Sequence, residues 1–294
     1  MAKIVGLIPC WMLPNNREAN TAAIQHNVKH LNLDHVVIYD QSFEDSDFND
    51  KFEYVGHQPT GVGFTAARNG LLEWFYNSDY DYALWLDANE KVSTPTINDT
   101  VTVIEALRAD KLDKIDVIFS TLGLWVSQDR IVAKQREDFM THVQLIPALN
   151  NKSYNWMHGL IIKNFKKYYN QPVFIDSRCD VKLGTPEDVY FARLIRRYFN
   201  AYVAPTVVIT KPSSNTSTHA GDGKGRYVYP PVKFDEVDQY ILESVEKHGI
   251  KPCNVQWFRD SVSIPRQEYM REKVTPYKSR KKEPQSPVTK VGLF

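Results

Sequence analysis

Cysteine is scarce: Cys10, Cys179 and Cys253 are the three in 294 residues, an odd number spread far apart. They make no closely spaced ligand pair and no disulfide framework, which points to a reducing, cytoplasmic compartment. Glycine is scarce as well, 13 residues against 16 Tyr and 14 Phe, which excludes fibrous and low-complexity architectures. Neither sign of charge is in excess. The 36 Lys and Arg against 35 Asp and Glu leave a formal +1, so a uniformly basic coat for nucleic acid is excluded while a local patch is not. Long hydrophobic runs are missing too. The longest, Val117 to Val126, is about half of a membrane span and contains Ser120 and Thr121. The start, Met1-Ala2-Lys3 before a short apolar run ending at Pro9, is too short for a secretory signal core. The chain therefore reads as soluble, without integral membrane association. Its N-x-S/T triplets at Asn98, Asn151 and Asn215 then read as accidental.

What is present is 43% apolar and 24% charged residues, enough for a sizeable core and against wholesale disorder. Ile4 to Pro9 is a continuous apolar run closed by proline, as a buried parallel strand would be. His35 to Asp40 repeats the pattern and ends in an acid, and Phe52 to Val55 is a weaker third run. Asn20 to Leu31 has mixed helical spacing. Phe64, Ala67, Leu71 and Phe75 recur at three- and four-residue steps, which predicts an amphipathic helix. Tyr82 to Leu86 is another buried strand, stopping at Asp87. Such alternation predicts a parallel sheet with right-handed crossovers.

From Val117 to Leu149, strand-like runs mix with polar loops. Thr185-Pro186-Glu187-Asp188 then opens a helix carried by Val189, Ala192, Leu194, Ile195 and Phe199. Thr185 is expected to cap it, with Pro186 at the first helical position and Asp188 at the capping-box position. A further helix is expected from Phe234 to His248. In residues 278–294, Lys278, Arg280, Lys281, Lys282 and Lys290 stand against Glu283 alone, which reads as a mobile basic tail.

The acids fall in informative places. Ligands of an open parallel sheet bind at the carboxyl ends of its strands, and Asp40 and Asp87 both sit at such ends. Asp87-Ala88-Asn89-Glu90 offers oxygen atoms at alternate positions, as a hard divalent cation bridging two phosphates requires. Taken alone, the same residues also read as a polar corner. A second cluster, Thr218 to Arg226, combines three glycines with Lys224 and Arg226. It suits either a backbone approach to phosphate or a surface turn. It is no Walker loop, because no Ser or Thr follows the lysine. Gly61-Val62-Gly63 is not a dinucleotide fingerprint, since bulky Phe64 follows. Trp125 and Trp156 are candidate sugar platforms, whereas Trp85 inside a strand reads as core.

Read in order, the strand to Pro9, the strand to Asp40-Gln41-Ser42, Ala67-Arg68-Asn69-Gly70, Asp87-x-Asn89, His158-Gly159 and Glu187-Asp188 resemble the GT-A nucleotide-sugar glycosyltransferases, especially the family-2-like group. The resemblance covers roughly residues 3 to 225. It implies an α/β fold of GT-A type: a Rossmann-like, mostly parallel central sheet flanked by helices, with a helical C-terminal extension. The catalytic domain would be 1–230, with a nucleotide-sugar half at about 1–120 and an acceptor half at about 121–230. The extension would be 231–294, its basic tail starting at about 276.

The same resemblance implies roles. Pro9 and Asp40 would line the donor site, Asp40 contacting uracil or ribose, with Arg68 and Asn69 beside the nucleotide. Trp156 and the His158-Gly159 turn would shape the sugar pocket, and Lys224 and Arg226 would close over the diphosphate. Asp87 and Asn89, with His219 as a third ligand, would hold Mn²⁺ or Mg²⁺. Asn89 departs from the acid of the family pattern. Asp188, paired with Glu187, would be the catalytic acid-motif residue that takes the acceptor's proton. The donor would be a nucleoside-diphosphate sugar, with uridine the default.

For the acceptor, aromatics after Pro230 (Phe234, Tyr240, Trp257, Phe258) interleave with Arg259, Arg266 and Arg271, which suits phosphate tracking and base stacking. A likeness to phage enzymes that decorate hydroxymethylated cytosine makes DNA the leading acceptor, its base flipped toward Asp188. Two readings stay open beside it: transfer to a lipid-linked or surface glycan, and a non-catalytic nucleotide-sugar or nucleic-acid binding protein.

Overall fold

The computed structural model describes residues 1–10, 17–40, 53–57, 64–122, 141–148, 157–210, 230–252 and 260–266. The strands are β1 (Ile4–Cys10), β2 (His35–Asp40), β3 (Glu53–His57), β4 (Tyr82–Trp85) and β5 (Lys91–Val92). They continue with β6 (Val117–Leu122), β7 (His142–Pro147), β8 (Leu160–Lys163), β9 (Ala201–Thr210) and β10 (Val262–Pro265). The helices are α1 (Arg17–Leu31), α2 (Phe64–Asn77), α3 (Ile97–Arg108), α4 (Phe165–Tyr169), α5 (Glu187–Tyr198) and α6 (Phe234–His248).

All ten strands join one sheet in the order β10-β7-β9-β6-β8-β4-β1-β2-β3, with β5 on β9. The four N-terminal strands pair in parallel, as the alternating sequence pattern predicts, and β6 pairs with β9 the same way. The rest turns antiparallel. Strand β8 runs against both β4 and β6, β7 and β5 run against β9, and β10 runs against β7. The sheet is therefore mixed, and its uninterrupted parallel part is confined to β3-β2-β1-β4.

Alternation along β1 shows how the layers form. Val5 and Leu7 point to a core shared with Leu71 and Phe75 of α2, Tyr190 and Leu194 of α5 and Ile241 of α6. Ile4 joins Ile104 and Leu107 of α3 beneath the opposite face, where Ile8 packs with Ile24 of α1. This is the two-sided burial that makes parallel strands read as unbroken apolar runs. At Gly70, α2 approaches β2 closely, because a Cβ there would lie 2.7 Å from the Tyr39 ring.

Three local expectations change. Helix α1 starts about one turn before Asn20, and α3 is an additional helix, its Ile97, Thr100, Ile104 and Leu107 buried at helical spacing. At α5 the cap moves. Pro186 is the extended residue before the helix (ψ 137°), with no side-chain cap. Thr185 turns back instead, its hydroxyl accepting the Asp180 N–H at 3.2 Å and closing the turn around Gly184. With the Thr185 hydroxyl engaged on Asp180, the helix begins without a side-chain cap, and Glu187 and Asp188 stand in its first turn, where the helix dipole favours acids.

Helix α6 spans the residues expected of it and is bound to α5 by Asp238. Arg193 donates to both Asp238 oxygens (2.8 and 2.6 Å), and Arg197 adds a third bond at 2.8 Å. Partial burial opposes the Asp238 charge, but these guanidinium bonds outweigh it and hold the carboxyl below the usual range. The linked stability is present above the unfolded pKa of about 3.9 and disappears as pH falls through the lower folded value. Asp238→Asn is expected to destabilise the fold by about 1–2 kcal/mol at pH 7. In denaturant titrations across pH, the difference from the unmodified chain should close as pH drops below about 4.

Candidate active site

Strand β8 lies antiparallel to β4 with Leu84 opposite Ile161 and Trp85 opposite Leu160. Carrying that register two residues further sets Asp87 against His158. Their side chains meet there, His158 Nδ1 lying 3.9 Å from Asp87 Oδ2. The end of β4 is held to β1, since the Leu86 N–H donates to the Leu7 carbonyl at 3.1 Å.

The chain then turns sharply. The Glu90 N–H donates to the Asp87 carbonyl (2.8 Å), while Glu90 Oε2 accepts the Asp87 N–H (3.0 Å). The other Glu90 oxygen bonds His158 Nδ1. Helix α1 braces this corner through Asn27, which donates to the Glu90 carbonyl (2.8 Å) and accepts the Val92 N–H (3.0 Å). Asp87, Glu90 and His158 thus each offer one ligand atom within 4.8 Å of the others, and they are the group among the described residues that could hold a metal ion. Glu90 is fully buried, whereas Asp87 and His158 keep 17% and 14% side-chain exposure. The corner therefore opens toward solvent on the Asp87 and His158 side.

Gly159 shapes the approach of His158. Its φ is +58°, and a Cβ there would lie 2.4 Å from Ile209 Cγ1 and 2.8 Å from the Ser120 hydroxyl. Ser120 donates to the Gly159 carbonyl, tying the turn to β6. Only glycine fits both the backbone and the space.

Arg68 of α2 joins the corner to α5. Its Nη2 donates to Asp87 Oδ1 at 3.0 Å and its Nη1 to Glu187 Oε1 at 2.9 Å. Burial alone would weaken the guanidinium charge, but Asp87, Glu187 and Asp188 more than offset it and raise the Arg68 pKa. Glu187 feels the opposite balance. Burial pushes its carboxyl up, against the pull of Arg68. Asp188 is half-buried in the first turn of α5, its Oδ1 accepting the Val189 N–H at 2.7 Å. Two adjacent acids thus have different surroundings: Glu187 is committed to Arg68, and Asp188 stands at the helix end.

The other expected site residues divide into three groups. Pro9 and Asp40 end neighbouring strands at this same sheet edge, with Pro9 opposite Tyr39 and Cys10 opposite Asp40. Asn69 faces a different partner. Its amide donates to the Ile175 carbonyl (2.8 Å) and accepts the Ile175 N–H (2.9 Å), anchoring that segment to α2. Asn89 lies half-buried in the 87–90 turn. Trp156, His219, Lys224 and Arg226 fall outside the described residues. The expected ligand set omitted Glu90 although the motif contains it, and the contribution of Asn27 was not visible at all. The Asp87-x-x-Glu90 spacing was the available signal for the first.

No protein-family model matches the chain, and no curated protein matches it either. Solved structures do. Residues 1–349 of S. aureus TarS in complex with UDP-GlcNAc superpose with a TM-score of 0.51 at 16% identity, covering 85% of this chain and 68% of that one. The same protein in complex with UDP gives 0.50 at 14% identity, covering 85% and 67%. The mannosyltransferase PcManGT from Pyrobaculum calidifontis, in complex with GDP-Man and Mn²⁺, gives 0.46 at 12%, covering 81% and 69%. The likeness to the TarS structures is one of fold, the GT-A type of helix-flanked mixed sheet.

Gly159→Ala is expected to cost about 2–4 kcal/mol through the strained φ and the overpacked contact with Ile209. Urea unfolding measures it. A loss below about 0.5 kcal/mol, the usual range for surface changes, would contradict the turn geometry.

Proposed function

We propose that the chain is a metal-dependent glycosyltransferase that moves a sugar from a nucleoside-diphosphate donor to a hydroxyl acceptor. One juxtaposition carries this reading. A two-carboxylate, one-imidazole group stands at the carboxyl edge of a GT-A type sheet, and Arg68 joins it to the helix end bearing Asp188. The donor set suits the cation. Two carboxylates favour Mg²⁺ or Mn²⁺, and the imidazole moves the preference toward Mn²⁺. Asp87, Glu90 and His158 would hold it; Glu90 stands in place of Asn89 of the sequence-based ligand set, and His219 lies outside the described residues. Bound there, the cation would neutralise charge on a departing diphosphate as a Lewis acid.

The protein's own groups supply the rest. Asp188 accepts the proton of the acceptor hydroxyl, and its place at the start of α5 favours its charged form. Glu187 is bound to Arg68 and is unsuited to the same task. Pro9 and Asp40, at the ends of β1 and β2, form the edge against which the nucleotide lies. Uridine is the proposed base, in keeping with the fold shared with the UDP-bound TarS structure.

The acceptor is proposed at the level of a hydroxyl compound. DNA bearing 5-hydroxymethylcytosine is the specific candidate from sequence; of the arginines behind it, Arg259 and Arg271 lie outside the described residues, and Arg266 is bound to Asp99 at 2.7 and 2.9 Å. Helix α6, in the described part of the extension, carries Asp235, Glu236, Asp238, Glu243 and Glu246 against Lys247, so it offers no basic face to a polyanion. Among the described residues no helix is long and apolar enough to cross a membrane. Salt-dependent binding to hydroxymethylated duplex DNA separates this acceptor from a glycan.

Two variants test the reading. Asp87→Asn is expected to weaken Mn²⁺ binding, and with it Mn²⁺-dependent UDP binding, by about 100-fold or more. Unchanged titration calorimetry would place the cation elsewhere. Asp188→Asn is expected to leave UDP binding intact while turnover of UDP-sugars falls by about 10²–10⁴-fold. Full turnover in that variant would reduce Asp188 to a helix-end acid.

A further inference from the structure

Arg68 is the buried cation at the meeting point of the corner and α5, and its surroundings are unusual. Its side chain is 4% exposed. Each terminal nitrogen is committed to a different acid from a different element, Asp87 and Glu187, 19 and 119 residues away. The Phe64 ring lies 5.7 Å from the guanidinium carbon and Met157 Sδ 4.0 Å from Nη1, so an apolar wall surrounds the fork. Its Nε is buried without a hydrogen-bond partner among the described residues. An orphaned buried donor costs about 1–3 kcal/mol. A guanidinium kept in place despite that cost is held by what its two terminal nitrogens bind.

The pairing divides Asp87 between two tasks. Oδ1 belongs to Arg68, which leaves Oδ2 turned toward His158. How strongly Arg68 holds Oδ1 depends on its other partner. With Glu187 ionised, the guanidinium is shared. With Glu187 neutral, its full charge falls on Asp87 and competes with any cation there.

We propose that Arg68 and Glu187 are positioning residues, the guanidinium relaying Glu187 to Asp87 so that it offers one oxygen to the cation while the Asp188 end of α5 is held in register with it. This rests on the reading of Asp87, Glu90 and His158 as a cation site. Lysine cannot replace the fork, because a point charge on a flexible stem reaches one acid at a time. Glu187 bonds Arg68 and feels the charge of Asp87, so its influence on the cation group runs through Arg68 or through space.

Mn²⁺ titration followed by electron paramagnetic resonance decides between these routes without needing turnover. Glu187→Gln is expected to weaken Mn²⁺ affinity about 10-fold, the effect usual for residues behind a metal ligand. In an Arg68→Met background the same Glu187→Gln change is expected to have no further effect, the signature of a shared path. Where Arg68→Met alone fails to fold, Arg68→Lys serves as the background, since it keeps the charge but not the fork. An unchanged affinity in Glu187→Gln, or a full-sized effect that persists without the arginine fork, overturns the relay and leaves the cation site standing. Failure of the unmodified chain to bind Mn²⁺ overturns both the relay and the proposed function.

Discussion

The antiparallel register of β4 against β8 is the constraint on which the site depends. Because Trp85 faces Leu160, the residues beyond the strands meet as Asp87 and His158. A slip of one residue would send every side chain of β8 to the other face of the sheet. It would bury the imidazole in the core and bring Gly159 opposite the acid. The left-handed backbone at Gly159 and the packing of Ile209 against it prevent that slip. The remaining parts are delivered to this fixed point: Glu90 by a tight turn, Arg68 by α2, and Glu187 with Asp188 by α5.

Concentrating Asp87, Glu90, Glu187 and Asp188 around one arginine carries a desolvation cost that mutual repulsion would increase. Each is treated differently. Glu90 is fully buried, but its oxygens take an N–H and an imidazole nitrogen. Glu187 is buried and paired, while Asp87 and Asp188 remain partly open. The acids nearest solvent are therefore Asp87 and Asp188, whereas Glu90 and Glu187 are enclosed by their hydrogen-bond partners. The same economy explains Asn27, whose amide satisfies both a carbonyl and an N–H of the corner.

Much of the fold was legible because its signals are local. The apolar runs of β1, β2 and β4, the three- and four-residue spacing of α2 and the limits of α6 follow from periodicity and breakers within a dozen residues. Strand direction is not local. Nothing in Leu160–Lys163 says that it runs against β4, so the mixed half of the sheet could not be read from its sequence. The site divides the same way. Asp87 and Asp188 were marked by their places at a strand end and a helix start. Asn69 was assigned to the nucleotide, whereas its amide closes on Ile175, 106 residues away. Thr185 has the type and place of a cap, but its hydroxyl closes on Asp180 and leaves the start of α5 without one. Contacts over such separations are set by packing, and no spacing rule encodes them.

One feature of the corner bears on how such a chain could change over time. Residues 86–92 are fastened to the N-terminal side by Leu7 and Asn27, and to the C-terminal side by pairing of Lys91 and Val92 with Thr210 and Ile209 of β9. The segment is a keystone shared by both halves of the chain. Exchanging the sequence after about residue 120 for that of another protein would replace one of its two abutments. A replacement sequence would keep the corner only if it again offered a strand to Lys91 and Val92.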